Sequence, residues 1–468
     1  MKDTIAAIAT PLSVGGISII RISGPEALSV ADRIFLPVSG RRIDTMKGYT
    51  ACYGQIQGGG KKKTEVLDDG VATVFRNPHS YTGEDTVEIS CHGGLFVTRE
   101  VLRAALDNGA RMAEPGEFTK RAFLNGKLSL TQAEAVADLI GAVSESSMRT
   151  ARSAVSGSLY KEIKKITEKL LAVSAHLAAY IDYPEEDVDE LTEEDVKLIV
   201  QESTLDLERL LGRFDQGQMI KEGVDTVIIG KPNVGKSTLM NLLSGHTRSI
   251  VTDIPGTTRD VVEETVNLGS VVLRLADTAG IRETDNLVEK IGVDIALERL
   301  NSASLALVVF DLSENLTEED RQIISRLEKE TIPCVAILNK TDLPQALSEE
   351  DLRQIQCVFP HTVFLSAGGE ESEQQSALDM LNDEIVSILG LSEIHPEDAM
   401  LANERQREAA AEACARLHEV LSTIQAGFTL DAVDVALESA LSALFALTGE
   451  KVSDTVINEV FEKFCVGK

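Results

Sequence analysis

One octapeptide, Gly230-Lys231-Pro232-Asn233-Val234-Gly235-Lys236-Ser237, has the residue types and spacing that hold a polyphosphate. It follows the apolar run Val227-Ile228-Ile229 and leads into Thr238-Leu239-Met240-Asn241-Leu242-Leu243, the strand–turn–helix setting such a loop requires. Backbone N–H groups in this kind of turn face phosphate oxygens, and the helix adds the positive end of its dipole. Lys236 is placed to reach β- and γ-phosphates, and the Ser237 hydroxyl is placed to hold Mg²⁺. Val234, Gly235 and Thr238 complete the expected cradle.

Three further stretches follow in the order a guanine-nucleotide site needs. Asp277-Thr278-Ala279-Gly280 ends an apolar run; its aspartate reaches toward the Mg²⁺ sphere and the Gly280 backbone faces a γ-phosphate. Asn339-Lys340-Thr341-Asp342 follows the next strand but one. Asp342 accepts hydrogen bonds from guanine N1–H and the exocyclic amine, a pattern adenine does not present, so the wrong base strands a carboxylate. Ser366-Ala367 sits where a backbone N–H meets guanine O6. A loop that orders around bound nucleotide is expected at 252–260, where a threonine completes the Mg²⁺ shell. Position 281 carries Ile, which cannot orient water as the glutamine of Ras-like enzymes does. Arg259, Arg282 and Glu289 are the residues in sequence that could supply charge or position water instead.

These motifs need a parallel sheet to hold them. Val271–Leu275, Leu305–Phe310, Val335–Leu338 and Thr362–Leu365 are short, nearly continuous apolar runs, as strands covered on both faces should be. Residues 222–389 therefore read as a doubly wound, mainly parallel α/β domain with its ligand at the carboxyl ends of the strands. Residues 1–126 read as mixed α/β, with strands at Ile17–Ser23, Gly70–Phe75 and Thr86–Ser90 and a helix over Leu95–Asn108. Residues 127–221 and 390–468 read as helical. Leu159, Ile163, Ile166, Leu170, Val173, Leu177 and Ile181 form one apolar stripe, and Thr131-Gln132-Ala133-Glu134 and Thr192-Glu193-Glu194-Asp195 have capping-box spacing. The economical arrangement is one discontinuous helical domain with the α/β domain inserted in it. Tyr183-Pro184-Glu185-Glu186-Asp187 reads as a solvated break, since no calcium-loop spacing appears.

Composition narrows the partners. The 468 residues carry a net charge of −30, from 75 acidic and 45 basic side chains. That excludes a broad electrostatic grip on nucleic acid, which needs clustered Lys and Arg; any RNA contact is local or supplied by a partner. Six dispersed cysteines without a CxxC pair fit a reducing cytoplasm. No uncharged apolar run approaches the ~20 residues of a membrane span.

The motifs together resemble those of the bacterial tRNA-modification GTPase family MnmE/TrmE. The matching stretches are Arg21-Ile22-Ser23-Gly24, Tyr81-Thr82-Gly83-Glu84-Asp85, His92-Gly93-Gly94, Glu114-Pro115-Gly116-Glu117-Phe118 and Arg121-Ala122-Phe123-Leu124-Asn125-Gly126-Lys127. To these are added the phosphate-loop series and the tail Cys465-Val466-Gly467-Lys468. The resemblance implies an N-terminal domain binding 5-formyl- or 5,10-methylene-tetrahydrofolate, with Arg21, Glu84, Lys127 and Lys468 at the matching positions. It implies K⁺ held by Asn233 and by the backbone at Thr252, Ile254 and Thr257, an ion that could replace an arginine finger electrostatically. It also implies Mg²⁺ on Ser237 and Thr258, and Glu289 orienting water. The implied assembly is a homodimer, working with an FAD- and NADH-using partner in a heterotetramer or larger complex. The implied product is an aminomethyl or carboxymethylaminomethyl group at C5 of the wobble uridine, with tRNA held largely by the partner. Val466 stands where the family usually has Ile. Cys465 shows no adjacent base in sequence to activate it. The competing reading is a regulatory or ribosome-assembly GTPase switch, which calls for an RNA-binding appendage; no basic GxxG loop occurs after residue 390.

Overall fold

The computed structural model describes residues 3–59, 65–182, 192–246, 264–275, 300, 303–369, 371–395 and 397–468. By its internal contacts the chain forms two compact units. The first comprises Met1–Ala137, Tyr160–Ser203 and Glu412–Lys468, the second Asp138–Leu159 and Thr204–Ala411.

In the first unit, β1 (Ile5–Ile8), β2 (Ile17–Ser23), β3 (Phe35–Pro37), β4 (Thr50–Gln57), β5 (Val66–Phe75), β6 (Thr86–His92) and β7 (Arg111–Met112) make one sheet in the order β3-β4-β5-β6-β2-β1-β7. All pairs are antiparallel except β1–β7. The alternation in β2 buries Ile20 and Ile22 and turns Arg21 to the other face, opposite Glu88 of β6. Helices Ala27–Ile34 and Leu95–Asp107 cover the apolar face, with Val30, Ala31, Val101 and Ala105 fully buried against Ile20, Val74 and Ile89. A smaller cluster joins Phe123, Leu130 and Ala133 to Ile457, Phe461 and Phe464 from the last helix and the tail.

The apolar stripe of the Ser158–Asp182 helix is as expected: Leu159, Ile163, Ile166, Leu170, Val173 and Leu177 are all buried. Thr192 and Asp195 form their expected cap, the Asp195 N–H donating to the Thr192 hydroxyl at 3.1 Å. The cap expected at Thr131 and Glu134 lies two residues earlier. Ser129 and Gln132 exchange the capping bonds instead, at 3.2 and 3.0 Å, and Thr131 and Glu134 are buried within the helix.

The second unit holds a sheet of β8 (Val224–Ile229), β9 (Glu264–Asn267), β10 (Val272–Leu275), β11 (Leu305–Asp311), β12 (Cys334–Asn339) and β13 (Thr362–Phe364), in the order β13-β12-β11-β8-β10-β9. It is parallel apart from the β9–β10 pair. Both faces are covered. Ile228, Leu307, Val309 and Ile337 pack into one cluster, and Val227, Ile229, Val308 and Phe310 into another on the opposite side. This is the doubly wound arrangement expected for residues 222–389.

Candidate functional site

The phosphate-loop candidate lies where the fold predicts, between the end of β8 and the Lys236–His246 helix. Close packing forces glycine at its start: a Cβ on Gly230 would stand 2.5 Å from the Val309 carbonyl oxygen of neighbouring β11. Two residues of the loop take the left-handed conformation, Asn233 at φ 64° and Gly235 at φ 98°. A side chain at 235 would also stand 2.2 Å from the Asn339 amide nitrogen. The Lys236 ammonium donates to the carbonyls of Gly230 and Lys231, at 2.9 and 2.7 Å. Asn233, Ser237 and Thr238 are exposed at the start of that helix. Val234 is buried and anchors the turn.

The base half of the site comes from the ends of β12 and β13. Buried Asn339 donates its amide N–H to the Val234 carbonyl at 2.8 Å and accepts from the Ala367 N–H at 3.1 Å. It thus ties three loops together. Lys340 sits at φ 68°, and its ammonium pairs with Asp311 at 2.5 Å. Burial pushes the Asp311 carboxyl up, but Lys340 and the hydroxyl and N–H of Ser313 outweigh it, so its pKa falls below the ordinary aspartate value. The Ser366 hydroxyl donates to the exposed Asp342 carboxylate, which leaves acceptor capacity facing outward. The Thr341 N–H donates to the Leu365 carbonyl at 3.3 Å. The structure therefore brings together Asn233, Val234, Gly235, Lys236, Ser237, Thr238, Asn339, Lys340, Asp342, Ser366 and Ala367 at the carboxyl ends of the strands. Thr252, Ile254, Thr257, Thr258, Arg259, Asp277, Thr278, Ala279, Gly280, Arg282 and Glu289 lie outside the described residues.

A second group of charged residues stands on the N-terminal sheet and the tail. Arg21 pairs with Glu88 across β2–β6 at 2.8 Å and donates to the Gly467 carbonyl at 3.3 Å. Its guanidinium lies 5.7 Å from the Tyr81 ring centre and 5.5 Å from that of Phe118. The tail is locked by backbone: Gly116 donates to Cys465, Phe118 donates to Lys468, and a Cβ on Gly467 would stand 2.2 Å from the Ile8 carbonyl oxygen. Burial, and then the charge of Arg21, lower the Lys468 ammonium pKa below the ordinary lysine value. Lys468 thus lies within reach of the Arg21 charge and of its partner Glu88. Glu84 accepts from Arg121 at 3.0 Å and from the Ser23 hydroxyl at 3.2 Å. Lys127 is exposed, donates to the Pro78 carbonyl at 3.1 Å, and its stem lies against the glycine that precedes Glu84.

Sequence reasoning missed the residues behind these groups. Arg121 is 1% exposed and pairs with Asp3, Glu84 and Glu117 at 2.9–3.0 Å. Arg111 joins the same network through Glu117 and Asp3. Arg121 lies within one of the stretches that carry the family resemblance, which was the available signal; its burial was not legible. Asp311, which pairs with Lys340, and Glu314 and Asp320, which pair with Lys231, carried no signal at all.

Comparison with known proteins covers the whole chain. Residues 4–127 match the family profile described as GTP-binding protein TrmE N-terminus, and residues 130–465 match the MnmE helical domain. A protein named tRNA modification GTPase MnmE from Thermoanaerobacter pseudethanolicus is 42% identical over 467 residues, covering 100% of this chain and 99% of the relative. Proteins of the same name from Clostridioides difficile and Geobacillus kaustophilus are 40% and 41% identical over 470 and 468 residues. Each alignment covers 100% of this chain, and 100% and 99% of those relatives respectively.

Proposed function

The chain belongs to the MnmE family of tRNA modification GTPases, and on that premise we propose that it hydrolyses GTP as part of wobble-uridine modification. The observation that carries the nucleotide reading is the double hydrogen bond of Asn339. It fixes the phosphate loop against the two loops that bear Asp342 and Ala367, so one ligand can engage all three. Asp342 then accepts from guanine N1–H and the exocyclic amine, the Ala367 region meets O6, and Lys236 leaves its carbonyl partners for the β- and γ-phosphates.

The exposed Ser237 hydroxyl, with no partner among the described residues, fits an Mg²⁺ ligand, and Thr258 would complete the shell. The exposed Asn233 amide likewise fits a monovalent cation, with the carbonyls of Thr252, Ile254 and Thr257 as its other ligands. Potassium there would supply positive charge beside the phosphates, which Ile281 makes necessary because no glutamine orients water. Glu289 is the residue assigned to the attacking water, with Arg259 and Arg282 as candidates for transition-state charge. Thr278, Ala279 and Gly280, after Asp277, are assigned to the γ-phosphate side.

For the N-terminal domain we propose a folate site at Arg21, Glu84, Lys127 and Lys468. What supports it is the convergence of Arg21 and Lys468: burial and the Arg21 charge lower the Lys468 ammonium pKa, a bound anion would relieve that penalty, and reduced folates carry carboxylates. The one-carbon unit of 5-formyl- or 5,10-methylene-tetrahydrofolate would supply the carbon for C5 of uridine 34. The proposal includes the divisions 1–126, 127–221, 222–389 and 390–468, a homodimer, an FAD/NADH-dependent partner that holds most of the tRNA, and a cytoplasmic setting. The net charge of −30 agrees with the partner supplying that grip. No helix of the described residues is long and apolar enough to cross a membrane.

The test is GTP turnover in KCl against NaCl at equal ionic strength. Much faster turnover in KCl is the expected result; equal rates would remove the cation role of Asn233.

A further inference from the structure

Lys231, the second residue of the phosphate loop, is buried, whereas Asn233, Ser237 and Thr238 are exposed. Its side chain is 8% exposed, and its ammonium pairs with Asp320 at 3.0 Å and Glu314 at 3.2 Å. Burial works against that charge, but the two carboxylates more than offset it and hold the ammonium pKa above the ordinary lysine value. Asp320 is itself 2% exposed and already committed. It is the third residue of the Glu318–Leu327 helix, accepting from the Thr317 N–H at 2.9 Å and the Thr317 hydroxyl at 2.8 Å in a capping box. One aspartate therefore fixes a helix start and a phosphate-loop residue together.

The same connection between β11 and that helix reaches the base half of the site. It begins at Asp311, whose carboxylate accepts from Ser313 N–H and hydroxyl at 2.8 and 2.6 Å and pairs with Lys340. Lys340 and Asn233 are both non-glycine residues held at positive φ, a conformation that persists only where surroundings over-determine it. Lys231 is two residues from Asn233, and its carbonyl is one of the two that accept from the Lys236 ammonium.

We propose that the segment from Asp311 to Asp320 is an acidic bracket that positions the nucleotide site from behind, with Asp320 as the positioning residue for the phosphate loop and Asp311 for Lys340. Lys231 is a tether, not a phosphate ligand. The inference rests on the guanine-nucleotide reading of the site and adds to it how the loop is kept ready. Neither aspartate touches the nucleotide.

The test separates positioning from bulk stability. Lys231→Met strands the buried Asp320 charge, and Asp320→Asn removes the charge while an amide oxygen still caps the helix; each single variant should weaken GDP binding about tenfold. Lys231→Met should also lower the melting temperature, because a buried carboxylate loses its partner. The double variant Lys231→Met/Asp320→Asn removes the stranded charge. It should recover most of the melting temperature while GDP binding stays weak, because the tether is still missing. Asp311→Asn should raise KM for GTP about tenfold with kcat at saturation nearly unchanged. Wild-type GDP affinity in the single variants, or affinity that returns with the melting temperature in the double variant, would overturn the bracket. Wild-type protein that binds no guanine nucleotide would overturn the underlying reading and this one with it, and the wild-type titration alone reveals that case.

Discussion

Asn339 stands between Val234 and Ala367, giving one hydrogen bond to the first at 2.8 Å and taking one from the second at 3.1 Å. Phosphate loop and base loop are thereby a single clasp. Asn339→Ala removes both bonds and leaves a buried carbonyl and N–H unpaired, a loss of about 1–3 kcal/mol for each stranded group. GDP affinity should fall about tenfold to a hundredfold, as read by calorimetric titration, and undiminished affinity would mean the two loops are positioned independently.

Gly235 is set by two constraints at once. At φ 98° any L side chain is strained, and a Cβ would stand 2.2 Å from the Asn339 nitrogen. Gly235→Ala should therefore abolish measurable nucleotide binding and lower the melting temperature by several degrees, since it breaks the clasp and adds about 1–3 kcal/mol of backbone strain. Differential scanning fluorimetry with and without GDP checks both effects, and a nucleotide-induced upshift in the variant would contradict the packing argument.

The Arg121 network should show in the acid limb of stability. Burial raises the Glu117 carboxyl, but Arg111, the Glu114 N–H and Arg121 outweigh it, so its folded pKa lies below the ordinary glutamate value. A depressed carboxylate stabilises the fold above its unfolded pKa, and that contribution is lost as pH falls through the lower folded value. Stability of the N-terminal unit should thus hold near neutrality and decline below about pH 4.5. Arg121→Met takes the arginine partner from Glu84 and leaves buried Glu117 with Arg111 alone, and should cost about 3 kcal/mol at pH 7. Because the variant's carboxylates gain from protonation, denaturant melts should show the deficit shrinking as pH is lowered.

Lys468 carries a prediction of opposite sense. Its ammonium is discouraged by burial and by Arg21, so its folded pKa is lowered. A bound anion reverses that penalty and favours the charged form. Affinity for 5-formyl-tetrahydrofolate should be flat near neutrality and fall as pH rises through the depressed lysine pKa, with proton uptake on binding in that range. Lys468→Met should weaken binding about tenfold or more at pH 7 and remove the alkaline decline. An unchanged pH profile in the variant would place the ligand elsewhere.

The elements most legible in the sequence were those with strong periodicity or motif spacing. β2 was read to its residue limits because an isoleucine-rich run is ended by Gly24-Pro25, and the stripe from Leu159 to Leu177 is buried as its spacing implied. The phosphate loop and Asn339–Asp342 were equally plain, since close backbone approach and base chemistry restrict residue types narrowly. β3 and β4 were not legible. β4 (Thr50–Gln57) runs near one edge of the sheet and buries only Gly54 and Ile56, so no apolar alternation announces it. The cap at Ser129 was misplaced because Thr131–Glu134 has the same spacing, and only burial of that pair decides between them. Ion pairs such as Lys231–Asp320 and Arg121–Glu84 join residues far apart in the chain, and spacing carries no trace of them.

The proposed role of GTP hydrolysis by this chain in wobble-uridine modification can be tested in cells. The most direct measurement is mass spectrometry of nucleosides at position 34 of tRNAs from cells lacking the chain, beside cells carrying wild type or Lys236→Ala. Loss of the aminomethyl-type group at C5 in the deletion, restored by wild type and not by Lys236→Ala, is the predicted result. Wobble nucleosides identical with and without the chain would contradict it.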